Sequence, residues 1–288
     1  MGTAAIGNTR DASATLRGRW LQRRYAIPGE HGAWMWLAGP LVAGVAAAGS
    51  ATGAQGLLAI AALAGFLLRQ PLTVLSQALE GRRRKTDIAP AVLWMLIYGV
   101  AASAAGVGLL FLGHVWIFVL AAAAGVQLIV QEGAVRRKAV RGNTWLQAAG
   151  AAVLGLCAPG AYWAGGGGDM RAAAGLWILV TVYAVITIVH VQHRLRWRQW
   201  TASTAPAWRW SKEAGVPGLC GVGMCCAVAL VLLHSAPALA PAAFIAPLAD
   251  AIESALCPPV GARPKQIGMR QLASSSAFFL ALSLAYVL

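Results

Sequence analysis

Two pairs of residues in this 288-residue sequence have side chains that could exchange protons. Glu30 and His31 directly precede a long apolar segment, and His190 and His193 lie near the end of another. A carboxylate and an imidazole can act as acid and base, and imidazoles can also bind a metal ion or haem. An ordinary position at a membrane surface explains either pair equally well.

The elements that must position these residues are membrane-spanning helices. Hydrophobic residues make up 59% of the chain and charged residues 11%, whereas a soluble domain has about half and about a quarter. The apolar residues come in blocks of about 20, which as helices cross a bilayer core of roughly 30 Å. The sequence therefore predicts an all-α, polytopic transmembrane bundle.

We predict nine spans. Eight are clear, and the remaining one, which is eighth in chain order, is weaker because it contains Asp250 and Glu253. The clear spans cover residues 33–50, 56–79, 90–112, 115–130, 145–164, 172–191, 215–233 and 267–288, and the weaker span covers residues 237–256. Eight helices is the alternative if the weaker span does not cross. Residues 1–26 are predicted to be a basic, partly disordered cytoplasmic leader, and residues 27–288 a single transmembrane domain.

The basic residues fall in five clusters, before the first span and after the second, fourth, sixth and eighth spans. The positive-inside rule places all five on the cytoplasmic side, provided that residues 237–256 cross the membrane. The N-terminus is then cytoplasmic and the C-terminus outside. The formal net charge of +14 indicates attraction to anionic lipid head groups rather than binding of nucleic acid.

Polar side chains collect at the predicted cytoplasmic ends of the first, second, fourth, fifth and sixth spans. Because polar groups at membrane depth usually face a bundle interior or a wet cavity, we predict one cytoplasm-facing cavity lined by these spans. The cysteine spacing predicts neither a metal site nor a disulfide framework, and the sequence names no cofactor. The candidate binding residues are Gln70, Gln77, Glu80, Arg137, Lys138, Asn143, Thr144, Gln147, His190, His193, Lys265 and Gln266.

Two sequence signatures resemble those of the YwiC-like family of bacterial membrane proteins. The first is IPGEHGAWMWLAGPLVAG, in which Glu30 and His31 lie, and the second is RPKQIG, which precedes the last span. A shorter match is the LIYG of the third span, and Gly29 replaces the family's usual lysine. The resemblance implies a multi-pass protein of the bacterial cytoplasmic membrane, but it implies no particular reaction.

A fainter resemblance is to the UbiA prenyltransferase superfamily. Arg136-Arg137-Lys138, followed by Thr144 and a glycine-rich span, is similar to the region between the fourth and fifth helices of those enzymes. This resemblance implies nine helices and a cytoplasmic site for an isoprenoid. The Asp-rich motifs that hold Mg²⁺ and a prenyl diphosphate in those enzymes are missing here, and hard cations need several oxygen ligands. Standard Mg²⁺-dependent prenyl transfer is therefore not expected.

Three functions are compatible with these observations. The first is an altered UbiA-like protein that binds an isoprenoid or another amphiphile in the cavity, with Glu30 and His31 as candidate catalytic acid or base. The second is a transporter or proton-coupled carrier, and the third is metal or haem binding by His31, His190 and His193. We favour the first, because the sequence lacks the internal repeats of many transporters and histidines at a basic helix end are more often interfacial. The sequence leaves open whether any reaction is catalysed.

Overall fold

The computed structural model describes residues 23–27, 33–136, 143–198, 215–257 and 260–288, which form a helical bundle. Short 3₁₀ helices cover Lys85–Asp87 and Ala240–Phe244. The all-α architecture predicted from composition is confirmed. The helices are α1 (Arg23–Ala26), α2 (Ala33–Ala48), α3 (Gly53–Leu79), α4 (Ile88–Phe111), α5 (Ile117–Arg136), α6 (Thr144–Gly155), α7 (Cys157–Ala164), α8 (Met170–Trp197), α9 (Gly215–Leu232), α10 (Ile245–Leu256) and α11 (Pro264–Val287).

Helices α2 to α11 make nine successive segments in the described residues, as predicted. Helices α6 and α7 count as one segment, interrupted at Leu156. Pro159 explains the interruption, because it has no N–H to donate to the carbonyl of Gly155 four residues earlier. The 3₁₀ helix Ala240–Phe244 and α10 together form the eighth segment, where the sequence predicts its weakest span.

Five of the described helices are long and apolar enough to cross a membrane, and α2 is an apolar helix of shorter length. These spans, together with the apolar composition, make this a multi-pass membrane protein. The five helices cover Gly53–Leu79, Lys85–Phe111, Ile117–Val135, Met170–Trp197 and Gly215–Leu232.

Described segments that border the basic clusters meet at one end of the bundle, which we call the basic end. The hydroxyl of Thr144, at the start of α6, donates a hydrogen bond to Gln192 near the end of α8 at 2.9 Å. The N–H of Gly261, just before α11, donates to the carbonyl of Arg198 at 3.0 Å. These contacts join chain segments that the charge pattern places on one side of the membrane.

Contacts at the opposite end join the intervening connections. The hydroxyl of Thr52, which caps α3, donates to the carbonyl of Ala164 at 2.9 Å, and the Gln55 amide donates to the carbonyl of Ala161 at 3.0 Å. The ends of α2 and α7 therefore lie beside the start of α3. The chain alternates between the two ends in the order that the charge pattern predicts.

An aromatic cluster holds the centre of the bundle together around α8. The rings of Tyr183 and Phe278 stack with centroids 3.7 Å apart, and Phe244 and Phe279 contact them edge-on. All four side chains are buried. Because buried aromatic rings supply large apolar contact areas, this cluster fixes α8 against α11 and the 3₁₀ helix Ala240–Phe244.

Helix α1, at the end of the predicted leader, is attached to the bundle at the basic end. Tyr25 is fully buried, and its hydroxyl donates to the carboxylate of Asp87 at 2.7 Å. The hydroxyl of Tyr98 in α4 donates to the carbonyl of Ala26 at 3.0 Å. The rest of the predicted leader, residues 1–22, lies outside the described residues.

The alternation of ends predicts which positions share a side of the membrane. We expect Thr86→Cys, at the basic end, and Gly168→Cys, at the opposite end, to react with an impermeant maleimide from opposite faces of sealed vesicles. Both positions are exposed, so each should label after detergent is added, which provides the control. The background chain has its five native cysteines replaced. Labelling of both positions from the same face would contradict this topology.

Candidate functional site

A cavity of about 300 Å³ lies between α2, α6, α8 and α11, in the half of the bundle nearer the basic end. Apolar side chains form most of its wall, and amides and hydroxyls supply the rest. Its lining residues are Met35, Trp36, Gln147, Thr187, Ile188, Val191, Gln192, Leu195, Gly268, Gln271, Leu272 and Ser275.

The walls of this cavity differ in part from the prediction. The first, fifth and sixth predicted spans line it, as expected. The second and fourth spans, which are α3 and α5, contribute no lining residue from the described part of the chain, whereas the last span contributes four. Of the predicted binding residues that the structure describes, only Gln147 borders the cavity.

Two glutamines meet on the α6 and α8 side of the cavity. The side-chain amide of Gln192 donates to the side-chain Oε1 of Gln147 at 3.4 Å. Oε1 of Gln192 in turn accepts from the Thr144 hydroxyl at 2.9 Å. Asn143 caps α6 by accepting from the N–H of Leu146 at 3.1 Å. Thr144 therefore orients Gln192, whereas Asn143 has a helix-capping role.

The α11 side of the cavity carries a third amide that sequence reasoning missed. The Gln271 amide donates to the Ser275 hydroxyl at 3.4 Å, and Ser275 also accepts from the Tyr183 hydroxyl at 2.9 Å. Spacing could have identified this face, because Leu272 follows Gly268 by four residues and Ser275 follows Leu272 by three, so all three share one side of the helix. The predicted residues Lys265 and Gln266 are exposed at the start of α11, where the side-chain Oε1 of Gln266 accepts from the N–H of Arg263 at 3.0 Å.

Behind the α8 and α11 walls, Asp250 joins two arginines in an ion-pair network. Its Oδ1 accepts from Nη2 of Arg194 at 2.7 Å and from Nε of Arg270 at 2.6 Å. Arg194 is 1% exposed and also donates from Nε to the Ser254 hydroxyl at 3.0 Å. Arg270 contacts Glu253 as well, at 2.5 Å. A buried guanidinium needs such partners, because an uncompensated charge inside a protein is costly.

The two predicted histidines have different neighbours. His190 is buried, and its Nδ1 lies 3.8 Å from Oδ2 of Asp250. His193 is half-buried and packs edge-on against Trp197, with ring centroids 5.5 Å apart. Within the described ranges, no group of three His, Cys, Asp or Glu side chains could share a metal ion. His31, the third proposed ligand, lies outside those ranges.

The polar residues predicted on the second span contact neighbouring chain segments instead of the cavity. The side-chain Oε1 of Gln77 accepts from Nε of Arg83 at 2.9 Å, and the Glu80 carboxylate lies 3.2 Å from Nη1 of Arg82. Gln70 is half-buried on α3.

Further contacts join α3 to α5. The Ser76 hydroxyl donates to the carboxylate of Glu132, and the Arg69 guanidinium donates from Nε to the Gln131 amide oxygen at 2.6 Å, with the amide oriented toward it. These residues form a second polar contact, between α3 and α5, which explains how α3 carries polar groups without lining the cavity.

Four predicted site residues, Glu30, His31, Arg137 and Lys138, lie outside the described residues. In the sequence, Glu30 and His31 directly precede α2, which supplies Met35 and Trp36 to the cavity wall. Their proposed role as acid and base stays a prediction.

Comparison with known proteins finds a family similarity in the first part of the chain. The sequence profile described as YwiC-like protein matches residues 27–162. This region is similar to the YwiC-like family. The match covers just under half of the chain, including α2 to α6 and most of α7, and it begins immediately before the Pro-Gly-Glu-His-Gly signature. No curated protein and no solved structure gave a significant match, so a UbiA-like arrangement stays a prediction.

The ion-pair network predicts that Asp250 is essential for stability. Asp250→Asn should destabilise the bundle by about 3–5 kcal/mol, because it leaves two guanidinium groups without their shared carboxylate. Because the Arg270 side chain is 36% exposed, solvent screens its charge, and we expect a loss of stability closer to about 3 kcal/mol. Thermal unfolding of the purified protein in detergent measures the effect.

Glu253→Gln is the matched control for this prediction. The Glu253 side chain is 64% exposed, so neutralising it should change the unfolding midpoint little. Equal losses in the two variants, or no loss in Asp250→Asn, would show that Asp250 does not have the proposed structural role.

Proposed function

We propose that this YwiC-like protein binds an isoprenoid or another amphiphile, with the head group of the ligand in the cavity between α2, α6, α8 and α11. The observation that supports the proposal is the composition of the cavity wall. Apolar side chains such as Trp36, Val191 and Leu272 surround a small number of hydrogen-bonding groups, among them Gln147 and Gln192. Ligand sites generally combine a mostly apolar lining with a few polar groups that orient the ligand.

The size of the cavity suits part of an amphiphile rather than a whole long-chain molecule. A volume of about 300 Å³ is at the lower end of the range for sites that bind small molecules. It can hold a head group and the first few carbons of a chain. The remaining tail would extend between the helices into the lipid, whose apolar chains are chemically equivalent to it.

The proposal includes the orientation of the protein in a bacterial cytoplasmic membrane. The basic end would face the cytoplasm, because clusters such as residues 82–85 lie there and the positive-inside rule favours that side. Anionic lipid head groups would bind these clusters. In the labelling experiment above, Thr86→Cys would then react only when the cytoplasmic face is accessible.

A side chain added at Gly268 should prevent ligand binding. Gly268 lines the cavity and is exposed, and a Cβ atom there would have no atom within 4 Å, so a larger residue can enter without a backbone clash. We expect Gly268→Phe to reduce the amount of amphiphile that co-purifies in mild detergent by about tenfold, a loss of roughly 1.4 kcal/mol in binding. Mass spectrometry of the extracted ligand measures this amount per mole of protein.

Gly218→Phe is the matched control for this experiment. Gly218 is also an exposed helical glycine with no atom within 4 Å of an added Cβ, but it lies on α9, which does not line the cavity. It should retain the ligand at the wild-type level. Equal retention by both variants, or no bound amphiphile in the wild-type protein, would refute the proposal.

A further inference from the structure

We infer that the head group of the ligand is a para-quinone, a neutral flat ring with carbonyl oxygens at two opposite positions. The inference rests on the proposed function and adds the chemical class of the ligand. Three features of the cavity support it: hydrogen-bond donors at its two ends, an apolar middle, and an aromatic side chain held in place along one wall.

The polar groups of the cavity lie at two depths. Gln147 and Gln192 bond to one another on the side nearer the basic end of the bundle, and we call this the amide end of the cavity. Thr187 precedes Gln192 by five residues on α8, so it lies about 7.5 Å deeper. Ser275 follows Gly268 by seven residues on α11, so it lies about 10 Å deeper than that glycine. We call the deep part that contains Thr187 and Ser275 the hydroxyl end.

The hydroxyl end offers a hydrogen-bond donor to a ligand. Ser275 accepts from the Tyr183 hydroxyl at 2.9 Å and from the Gln271 amide at 3.4 Å, which occupies both lone pairs of its oxygen. Within the described segments, the Ser275 O–H itself donates to no group. A hydroxyl whose acceptor sites are filled has only its proton left to share. This end of the cavity therefore matches an oxygen atom that accepts.

The amide end also offers donors. Oε1 of Gln147 accepts from Gln192, and Oε1 of Gln192 accepts from the Thr144 hydroxyl. The two side-chain amides carry four N–H groups, because each N–H₂ has two. One N–H of Gln192 is used in the contact with Gln147, and the other three make no hydrogen bond in the part of the chain that the structure describes. Since both residues line the cavity, these N–H groups match a second acceptor on the ligand.

Between the two ends, the cavity wall is apolar and partly aromatic. Ile188, Val191 and Leu272 supply apolar contacts. On the α2 side, the ring of Trp36 packs against the ring of Tyr183, with centroids 5.8 Å apart. Because Tyr183 is 1% exposed, this contact fixes the orientation of the indole. A flat conjugated ring in the cavity can pack against it, as aromatic rings do with one another.

A para-quinone matches this arrangement better than the other head groups of amphiphiles. Its two carbonyl oxygens accept hydrogen bonds at opposite ends of one rigid ring, and a bond of about 2.9 Å on either side allows the ring to bridge the two ends of the cavity. An alcohol has one oxygen and occupies only one end. A phosphate brings negative charge, and the described lining contains no cation to compensate it.

Three ligands with the same decyl chain test this inference: a trimethyl-decyl-para-benzoquinone, its hydroquinone, and the corresponding phenol with one hydroxyl. The quinone has no ring C–H at which exposed thiols such as Cys225 and Cys257 could add. Each ligand competes with tritiated quinone for the purified full-length protein in one detergent, under anaerobic conditions. We expect the quinone to bind about fivefold more tightly than the phenol, which lacks the second oxygen. It should also bind more tightly than the hydroquinone, whose O–H groups would face donors.

Variants at the two ends test whether both oxygens of the quinone are recognised. Gln147→Met removes donors of the amide end, and Ser275→Ala removes the donor of the hydroxyl end. Each should weaken quinone binding about fivefold. The phenol has one oxygen, so only one of the two substitutions should weaken its binding. Because Gln147 is exposed, Gln147→Met leaves the core intact and provides the test even if Ser275→Ala is unstable.

Gln127→Met and Ser276→Ala are the matched controls. Gln127 is a half-buried amide on α5, and Ser276 is the half-buried serine that follows Ser275 on α11. Neither residue lines the cavity, and neighbours on a helix point about 100° apart. Both variants should bind all three ligands as the wild-type protein does.

The outcomes distinguish this inference from the proposed function. If the quinone binds no more tightly than the phenol, or if Gln147→Met leaves quinone binding unchanged, the quinone assignment is wrong although the cavity still binds amphiphiles. If none of the three ligands binds and no amphiphile co-purifies, the proposed function itself fails.

Discussion

The bond between Asp250 and two arginines is the constraint on which the basic end of this bundle depends. One carboxylate oxygen accepts from Arg194 in α8 and from Arg270 in α11, so three helices converge on a single atom. Helices α8 and α11 provide most of the lining of the cavity. The geometry of the cavity therefore follows from a charge network that lies outside it. The network also explains why α10 carries charges in an otherwise apolar region, since Asp250 and Glu253 pair with these arginines.

The structure separates the groups that hold the helices from the groups that can meet a ligand. The charged residues lie behind the wall and neutralise one another, whereas amides such as Gln147, Gln192 and Gln271 lie on it. The Arg194–Asp250 pair is removed from water, with side chains 1% and 11% exposed, whereas amides can act as both donors and acceptors toward a ligand. This division allows the cavity wall formed by the described residues to be polar without carrying a charged side chain, which would be costly at membrane depth.

Much of the architecture could be predicted from the sequence. The apolar blocks and the regularly recurring basic loops were sufficient to predict nine segments that alternate between the two ends of the bundle. Both signals are local and physically strong. The cavity was predicted less well. Polar residues at helix ends do not reveal their direction, and Gln77 and Glu80 contact arginines of their own loop rather than a cavity. Asp250 was interpreted only as a charge that weakens a span. Its partner Arg194 is 56 residues away, a pairing that local patterns do not show.

The central claim is that the cavity beside Gln147, Gln192 and Gln271 contains an amphiphile. An experimental structure of the protein in lipid nanodiscs, determined without added ligand, tests it most directly. The account predicts elongated density between α2, α6, α8 and α11, with its polar end beside the three amides and its tail directed into the bilayer. A cavity closed by its own side chains, with Trp36 packed directly against the amides and no elongated density between these helices, would contradict it.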